Sequence, residues 1–559
     1  MKMKINMRTM KLMAAILVAT IASVNSDACT NLIVGKGASA DGSTIISYAA
    51  DSHTLYGDMQ FLPAADHKPG EMREIRDWDS GKLHGYIPEV PHTYQVIGNI
   101  NEHQLTIAES TWGGRLELMD TTGKAIMDYG SLIYVALQRA RTAREAIVVM
   151  TDLVEKYGYN SEGESFSIGD PNEVWIMDMI GKAGKEKGAV WVAMRVPDDC
   201  IAGHANQARI YKFPLKDKEN CLYSKDVISF ARKMGLYSGK DADFEFSRVY
   251  SPSDFGTLRG CDARVWAYFN KFASGMDRYL PFINGKKGAE VMPVWVRPDR
   301  KVSVRDVQNM MRDHFEDTPF DMTKDPGATN YWGVPYRWRP MEFKVDSVTY
   351  CMERAIATQQ TGFVFVNQMR HWLPDAIGGV SWFGVDDANT ALFVPIYCCS
   401  REVPDSYARG KADLYTFNFD AAFWVNNVIS NFVYSRYSVM IDDVRRVQTE
   451  LEDKFEKNQP IVEVAANALL KENPASAVEY LTNYSVNTAQ QATARYQDLA
   501  KYLFVKYMDG NVKKEKDGQF ERNPDGLPVS PKWPGYTQDY YNTVVAGSGD
   551  RLRVVEPEK

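Results

Sequence analysis

The sequence predicts an α+β protein that carries a helical appendage at its C-terminal end. Short apolar strands joined by Gly and Asp turns recur along the first 400 residues, and stretches with helical periodicity lie between them. After about residue 440 the strand pattern gives way to helices alone. This order favours antiparallel sheets with flanking helices over alternating βαβ units. No Gly-rich loop opens a helix, so neither a Rossmann nor a P-loop fold is indicated.

The predicted strands come in pairs that are separated by turn residues. Residues 29–34 and 43–50 flank the Gly-rich stretch 35–42. Two more hairpins are predicted over 94–110 and 165–179, and further strands over 189–196, 361–367 and 381–397.

Two helices are predicted inside this strand-rich part. The first spans 129–157, and the side chains that share its apolar face are Leu132, Ala136, Ala140, Ala143 and Ile147. The second spans 304–314, with Ser303 as its N-cap and Asp306 in the first turn, where the helix dipole favours a negative charge.

The C-terminal part divides into a helical appendage and a tail. Helices are predicted over 442–457, 461–471, 475–484 and 488–508. Residues 510–559 are rich in charge, Pro and Gly and predict an irregular tail. The expected organisation is a signal peptide over 1–28, a catalytic domain over 29–440, the appendage over 441–509 and the tail over 510–559.

The first 28 residues have the pattern of a secretory signal peptide. Four basic residues precede the mostly apolar run 12–24, and small residues before Asp27 and before Cys29 offer two cleavage sites. A membrane-anchored N-terminus and a lipoprotein site at Cys29 are the alternatives. Export predicts a periplasmic, secreted or cell-surface protein.

Composition and motifs exclude several classes of function. The formal net charge of −7 and the absence of a basic stripe argue against a nucleic-acid partner. No later segment reaches 18 consecutive apolar residues, so stable membrane insertion is not expected. The eight His and seven Cys form no metal-binding spacing, and we expect neither a metal nor another cofactor. The sequence leaves a homo-oligomer open.

Cys29 is the strongest candidate for a catalytic residue because of its position. Cleavage after Ala28 would make it the first residue of the mature chain. Its thiol would then lie beside its own α-amine, which has an unperturbed pKa of about 7.7–8.0. One residue would supply both nucleophile and base, as Thr does at other chain N-termini. The alternative is a structural or disulfide-bonded cysteine.

Several blocks of sequence follow one another in a specific order and spacing. They are Cys29-Thr30, 35–39, 41–44, Asp51, Asn101-Glu102, Tyr157-Gly158, 169–175, 191–193, 204–209, 264–266 and 378–382. Together these blocks resemble the secernin-type, dipeptidase A-like cysteine dipeptidases of the N-terminal-nucleophile hydrolase superfamily. The resemblance covers about residues 29–440, and the order of the blocks is more specific than any one of them.

This resemblance implies a four-layer αββα sandwich and an enzyme that hydrolyses dipeptides with a free amino terminus. Small peptides are therefore the expected partners. Wider relatives, such as penicillin V acylases and conjugated bile-acid hydrolases, leave an amidase as one alternative. A non-enzymatic periplasmic binding protein of the same fold is the other.

Roles for five residues follow from the resemblance. Cys29 is the nucleophile, and Asp51 is similar to the carboxylate that orients the α-amine. Asn206 resembles the family's oxyanion donor, and Thr111 lies near a second oxyanion contributor. Arg264 resembles an active-site Arg of the acylases. The alternatives are a turn acid for Asp51, a turn or capping residue for Asn206, and a structural ion-pair partner for Arg264.

The sequence departs from the family pattern at one position. Many relatives carry an Arg-x-x-Asp arrangement, whereas this chain has Tyr48-Ala-Ala-Asp51. A guanidinium that would lower the thiol pKa or hold a carboxylate is therefore missing from position 48, and the contact to the dipeptide carboxylate is in doubt.

Overall fold

The computed structural model describes residues 29–184, 186–328 and 332–555, so the predicted signal peptide lies outside the described residues. Two large antiparallel sheets form the centre of the molecule. Their strands are β1 Thr30–Val34, β2 Thr44–Asp51, β3 Phe61–Leu62, β4 Val96–Ile97, β5 Ile100–Asn101, β6 Thr106–Trp112, β7 Gly163–Gly169, β8 Val174–Gly181, β9 Ala189–Arg195, β10 Ile201–His204, β11 Cys221–Tyr223, β12 Trp295–Val296, β13 Thr361–Met369, β14 Val380–Val385 and β15 Val394–Tyr397.

Helices surround these sheets, and small hairpins decorate them. The longer helices are α1 Tyr129–Arg139, α2 Ala143–Tyr157, α3 Val227–Lys233, α4 Ala263–Phe272, α5 Val304–Met311, α6 Ala422–Tyr434, α7 Tyr437–Glu472, α8 Pro474–Lys506 and α9 Gln538–Ser548. Shorter α-helical segments are Phe246–Tyr250, Phe255–Thr257, Leu280–Ile283 and Asp375–Gly378. The paired short strands are Ala65–Asp66 with His92–Thr93, Met72–Arg76 with Leu83–Pro88, Glu342–Val345 with Val348–Cys351, and Glu515–Lys516 with Gln519–Phe520.

The strand order places β1 well inside the first sheet. That sheet runs β12-β10-β1-β2-β13-β14-β15, and the second runs β11-β9-β8-β7-β6-β5-β4-β3. In β1, Asn31 lies opposite Tyr48 of β2 on one side and His204 of β10 on the other. The residue that precedes β1 is therefore held between strands that come from distant parts of the chain.

The second sheet has two buried faces because its strand residues alternate between two cores. Ile176 packs in the core that includes the first sheet, whereas Trp175 and Met177 pack with α1 and α2. On the first sheet, Ser47 of β2 reaches Met311 of α5, whose sulfur lies 3.1 Å from the serine hydroxyl. The predicted α+β class with antiparallel sheets is confirmed.

The helix predicted over 129–157 is two helices, so that prediction is wrong in its continuity. The side-chain amide of Asn101 donates to the carbonyls of Leu137 and Ala140, at 2.7 and 2.8 Å, and so caps the end of α1. Thr142 then accepts a hydrogen bond from the backbone N–H of Glu145 and starts α2. A local N-cap and a distant amide together break the periodic pattern.

The capping prediction for the shorter helix is confirmed. Ser303 accepts a hydrogen bond from the N–H of Asp306, and the Asp306 carboxylate accepts one from the N–H of Ser303. This reciprocal capping box fixes where α5 begins. The helix ends at Met311, a turn earlier than the predicted 314.

The appendage consists of two long helices rather than the four predicted ones. Pro460 lies inside α7 without ending it. Glu452 of α7 is buried and joins the appendage to the sheet region through Arg312, and through the N–H of Phe393 at 3.2 Å. The stretch 510–559, predicted to be irregular, contains α9. None of the helices in the described part of the chain combines the length and apolarity that a membrane crossing requires.

Candidate active site

A pocket opens between the two sheets at the start of β1. Cys29 and Tyr48 line it from the first sheet, and Glu109 and Thr111 of β6 line it from the second. The remaining lining residues are Ala50, Asp51, Ser52, Thr54, Leu55, Trp78, Asp79, Asn99, Tyr129, Gly130, Ile133, Tyr134 and Phe363.

The Cys29 thiol is held in a setting that favours its neutral form. Its sulfur lies 3.6 Å from the Tyr48 hydroxyl and 3.6 Å from Oε1 of Glu109. Burial raises the pKa of the Cys29 thiol well above its ordinary value, and the negative charges of Glu109 and Asp51 raise it further. A nucleophilic thiolate here therefore needs a nearby base or cation.

Asp51 ends β2 and is buried next to an arginine that the sequence analysis missed. Oδ2 of Asp51 pairs with Arg354, and Oδ1 accepts a hydrogen bond from the Thr361 hydroxyl at 2.6 Å. Burial raises the pKa of the Asp51 carboxyl, and the Arg354 charge opposes that rise. Position 48 carries no guanidinium, but Arg354, which lies 303 residues after Asp51 in the chain, places one next to the Asp51 carboxylate.

Arg264 of α4 connects the start of β1 to Asn206. It donates to the Cys29 carbonyl at 2.6 Å, to the Thr30 hydroxyl at 2.7 Å and to Oδ1 of Asn206 at 2.9 Å. Burial, and then the nearby Arg354 charge, lower the pKa of Arg264 to about 10, so it stays cationic at neutral pH. It fixes which way the Asn206 amide faces.

Asn206 and Thr111 are joined across the two sheets. Asn206 has a left-handed backbone with φ of 56°, and its Nδ2 donates to the Thr111 carbonyl at 2.6 Å. The Thr111 hydroxyl donates to Oε1 of Glu164 at 2.7 Å. The structure therefore brings all five predicted site residues into one connected network, although their catalytic roles stay predictions.

A pair of buried glutamates was missed by the sequence analysis. Glu109 and Glu164 lie on the adjacent strands β6 and β7, and both are almost fully buried. Burial raises the pKa of Glu109 to about 7, and burial and the Glu109 charge raise the pKa of Glu164 well above its ordinary value. A charged residue in the middle of an otherwise buried strand was the available signal.

His204 is buried close to the site but is fully engaged elsewhere. Its Nδ1 lies 2.6 Å from the Ser110 hydroxyl, and its Nε2 lies 2.7 Å from the Ser167 hydroxyl. Burial lowers the pKa of His204 to about 3, so the ring is neutral. It ties β10 to β6 and β7 and offers no base to Cys29. Within the described ranges, no group of three His, Cys, Asp or Glu side chains could hold a metal ion.

The pocket between the two sheets thus contains a buried cysteine surrounded by acidic and polar side chains. The model of peptidase family C69 matches residues 28–73 and 59–450. The chain belongs to this family. The resemblance predicted from the sequence is thereby confirmed, as is a cysteine-type dipeptidase enzyme at the level of the family.

Curated relatives are similar over most of the chain. One named "Probable dipeptidase" from Latilactobacillus sakei is 26% identical over 521 residues, covering 88% of this chain and 99% of the relative. Another with that name from Salmonella dublin is 27% identical over 389 residues, covering 66% and 81%. "Dipeptidase A" from Lactobacillus helveticus is 24% identical over 450 residues, covering 77% and 85%.

Proposed function

We propose that this protein is an exported dipeptidase that uses Cys29 as the N-terminal nucleophile of the mature chain. The observation that carries the proposal is the position of the Cys29 sulfur in a pocket between two sheets, next to buried Glu109 and Tyr48. The names of the relatives support dipeptides as the substrate class. We also propose the four-layer αββα sandwich, because each sheet packs helices on the face that points away from the other sheet.

Cleavage before Cys29 would free an α-amine within reach of the thiol. As the sulfur attacks the scissile carbonyl, the thiol proton moves to this amine and a C–S bond forms. When the C–N bond breaks, the same amine returns the proton to the leaving amino group. A water then hydrolyses the thioester, which releases the first residue and restores the thiol.

The surrounding residues position and stabilise this chemistry. Asp51, held by Arg354, orients the α-amine, because its carboxylate is buried at the end of the strand that pairs with β1. Asn206, held by Arg264, presents an amide N–H to the developing oxyanion. Such a donor is worth about 10²–10³ in rate. Thr111 contributes through the carbonyl that fixes the Asn206 amide.

The test combines mass determination of the mature N-terminus with a dipeptide assay. The wild-type chain should begin at Cys29 and hydrolyse dipeptides, and Cys29→Ala should lose more than about 10³-fold in kcat. Cys200→Ala is the matched control, because Cys200 is also a buried cysteine but does not line the pocket. This variant should keep wild-type activity. A mature chain that begins at Asp27, or a fully active Cys29→Ala protein, would overturn the proposal.

A further inference from the structure

The pocket beside Cys29 carries negative charge without a basic side chain of its own. Among its described lining residues, Asp51, Asp79 and Glu109 are acidic, and none is Lys, Arg or His. Asp51 is already paired with Arg354, which lies outside the lining. The other acidic side chains that a ligand in the pocket would meet are Glu109 and Asp79, and Asp79 also accepts a hydrogen bond from the Tyr129 hydroxyl at 2.8 Å.

The described partners of the Glu109 carboxyl are all formally neutral donors, and none of them is a cation. Oε1 accepts a hydrogen bond from the Tyr48 hydroxyl and faces the Cys29 sulfur. The Glu109 carboxyl also shares a hydrogen bond with the buried Glu164 carboxyl, which donates when it is protonated. A buried carboxylate without a counter-charge is costly, so a ligand that brings a positive charge and an N–H donor would stabilise it.

The position of Glu109 matches the geometry of an amino-terminal residue under attack. A sulfur poised to attack lies about 3–3.5 Å from the carbonyl carbon. The α-nitrogen of the same residue is about 2.5 Å from that carbon, because only the Cα separates them. A charged N–H···O contact spans about 2.7–2.9 Å. Oε1 of Glu109 is 3.6 Å from the sulfur. One bound residue can therefore place its carbonyl carbon at the sulfur and its α-nitrogen at Oε1 at the same time.

We propose that Glu109, assisted by Asp79, binds the α-ammonium of the substrate and makes the enzyme select peptides with a free amino terminus. The inference rests on the proposed function, since it assumes that Cys29 attacks the carbonyl of the first residue. An N-acylated peptide would place a neutral amide and an added group against the Glu109 carboxylate. Binding of the α-ammonium by Glu109 also determines that the peptide bond after the first residue is hydrolysed, because only the carbonyl of that residue then lies next to the Cys29 sulfur.

Tyr48 has a defined part in this arrangement. Its hydroxyl donates to Oε1 of Glu109 and also lies 3.6 Å from the Cys29 sulfur. It therefore holds the carboxylate of Glu109 next to the nucleophile. The position where many relatives carry a guanidinium is thus occupied by a neutral donor. The negative charge of Glu109 stays available to a cationic ligand.

The test measures binding in the Cys29→Ala protein, where no turnover interferes. Two probes are titrated by calorimetry: alanyl-phenylalanine and its des-amino analogue, propionyl-phenylalanine, which has the same length without the ammonium. The dipeptide should bind at least about tenfold more tightly than the analogue. Glu109→Gln in the same background should weaken the dipeptide by about 10- to 100-fold and leave the analogue unchanged.

Controls separate this inference from the proposed function. Glu173→Gln, in the turn between β7 and β8, should leave both dissociation constants unchanged. If Glu109→Gln does not fold by circular dichroism, Asp79→Asn at the exposed mouth should still weaken the dipeptide by about 2- to 5-fold. Equal weakening of both probes, or no effect on either, would overturn the inference. Glu109-dependent dipeptide binding in a wild-type protein that hydrolyses nothing would instead overturn the proposed function.

Discussion

At the scale of single residues, the site contains buried charged groups, and the partner of each group sets its protonation state and its orientation. Arg354 is 8% exposed and meets a fully buried carboxylate, Asp51. A buried ion pair contributes little net stability, yet removing one partner leaves a charge that nothing balances. We therefore assign Arg354 to positioning rather than to contact with the substrate.

Arg354→Met should lower kcat by at least about tenfold with a smaller change in KM, because Asp51 loses its counter-charge and its orientation. The lost Arg354 charge would also let the pKa of the Asp51 carboxyl rise further, which should move the acidic limb of the kcat profile to higher pH. Arg354→Lys should recover part of the activity. Glu353→Gln, at the neighbouring position, is the control. Unchanged kcat and pH profile in Arg354→Met would exclude the positioning role.

The raised pKa of Glu109 predicts a pH dependence of substrate binding. The groups that face this carboxyl are Cys29 and Tyr48 from the first sheet, Glu164 from β7, Tyr129 from α1, and Asp79. Burial holds the pKa of Glu109 at about 7, so the carboxyl gains a proton and loses its charge as the pH falls below that value. We expect KM for dipeptides to rise by up to about tenfold per pH unit below 7. The Glu109→Gln protein should lack this rise, and a rise of equal slope in that variant would contradict the assignment.

At the scale of elements, local sequence predicts single hairpins and helix caps correctly, because their determinants lie within a few residues of one another. The hairpin around 35–42 and the N-cap at Ser303 were predicted because turn and capping chemistry is local. The break between α1 and α2 escaped prediction because one of its two caps comes from Asn101, a residue of the distant strand β5. Arg354 escaped for the same reason, since its segment carries no motif and only the folded chain brings it to Asp51.

The Ser303 cap offers a test at this scale. Ser303→Ala should lower the free energy of unfolding by about 1 kcal/mol, because the N–H of Asp306 loses its acceptor. Chemical denaturation followed by circular dichroism measures this change. The loss should reach the sheet that carries β1, since α5 contacts β2 through Met311. Ser303→Asp, which retains a capping oxygen, should restore most of the stability, and an equal loss in both variants would refute the capping role.

At the scale of the whole molecule, the appendage is joined to the catalytic region by a buried charge network. Glu452 of α7 is 1% exposed and pairs with Arg312 at 2.5 Å and with Arg305 at 2.9 Å. The family match extends to residue 450, so the appendage begins within the matched region. Its boundaries as a separate unit stay a prediction.

Glu452→Gln should destabilise the protein by about 3 kcal/mol, because Arg312 keeps its charge in a buried site without a full counter-charge. Thermal and urea unfolding measure the loss. Glu450→Gln is the matched control on the same helix, since Glu450 is exposed and pairs with Arg495 at the surface, at 3.0 Å. That variant should change stability by less than about 1 kcal/mol. Equal effects of the two substitutions would mean that the buried network does not hold the appendage.

The distance in sequence between Asp51 and Arg354 also sets an order of events during synthesis. At about 5–20 residues per second, the ribosome needs about 15–60 s to add the 303 residues that separate the two side chains. Strand β13, which pairs with β2, is synthesised later still, and its Thr361 donates a hydrogen bond to the same Asp51 carboxylate. The cysteine is therefore synthesised well before the residues that complete its surroundings. A chain interrupted before residue 354 would carry the thiol without the charge that balances Asp51, so an unfinished molecule cannot assemble the site.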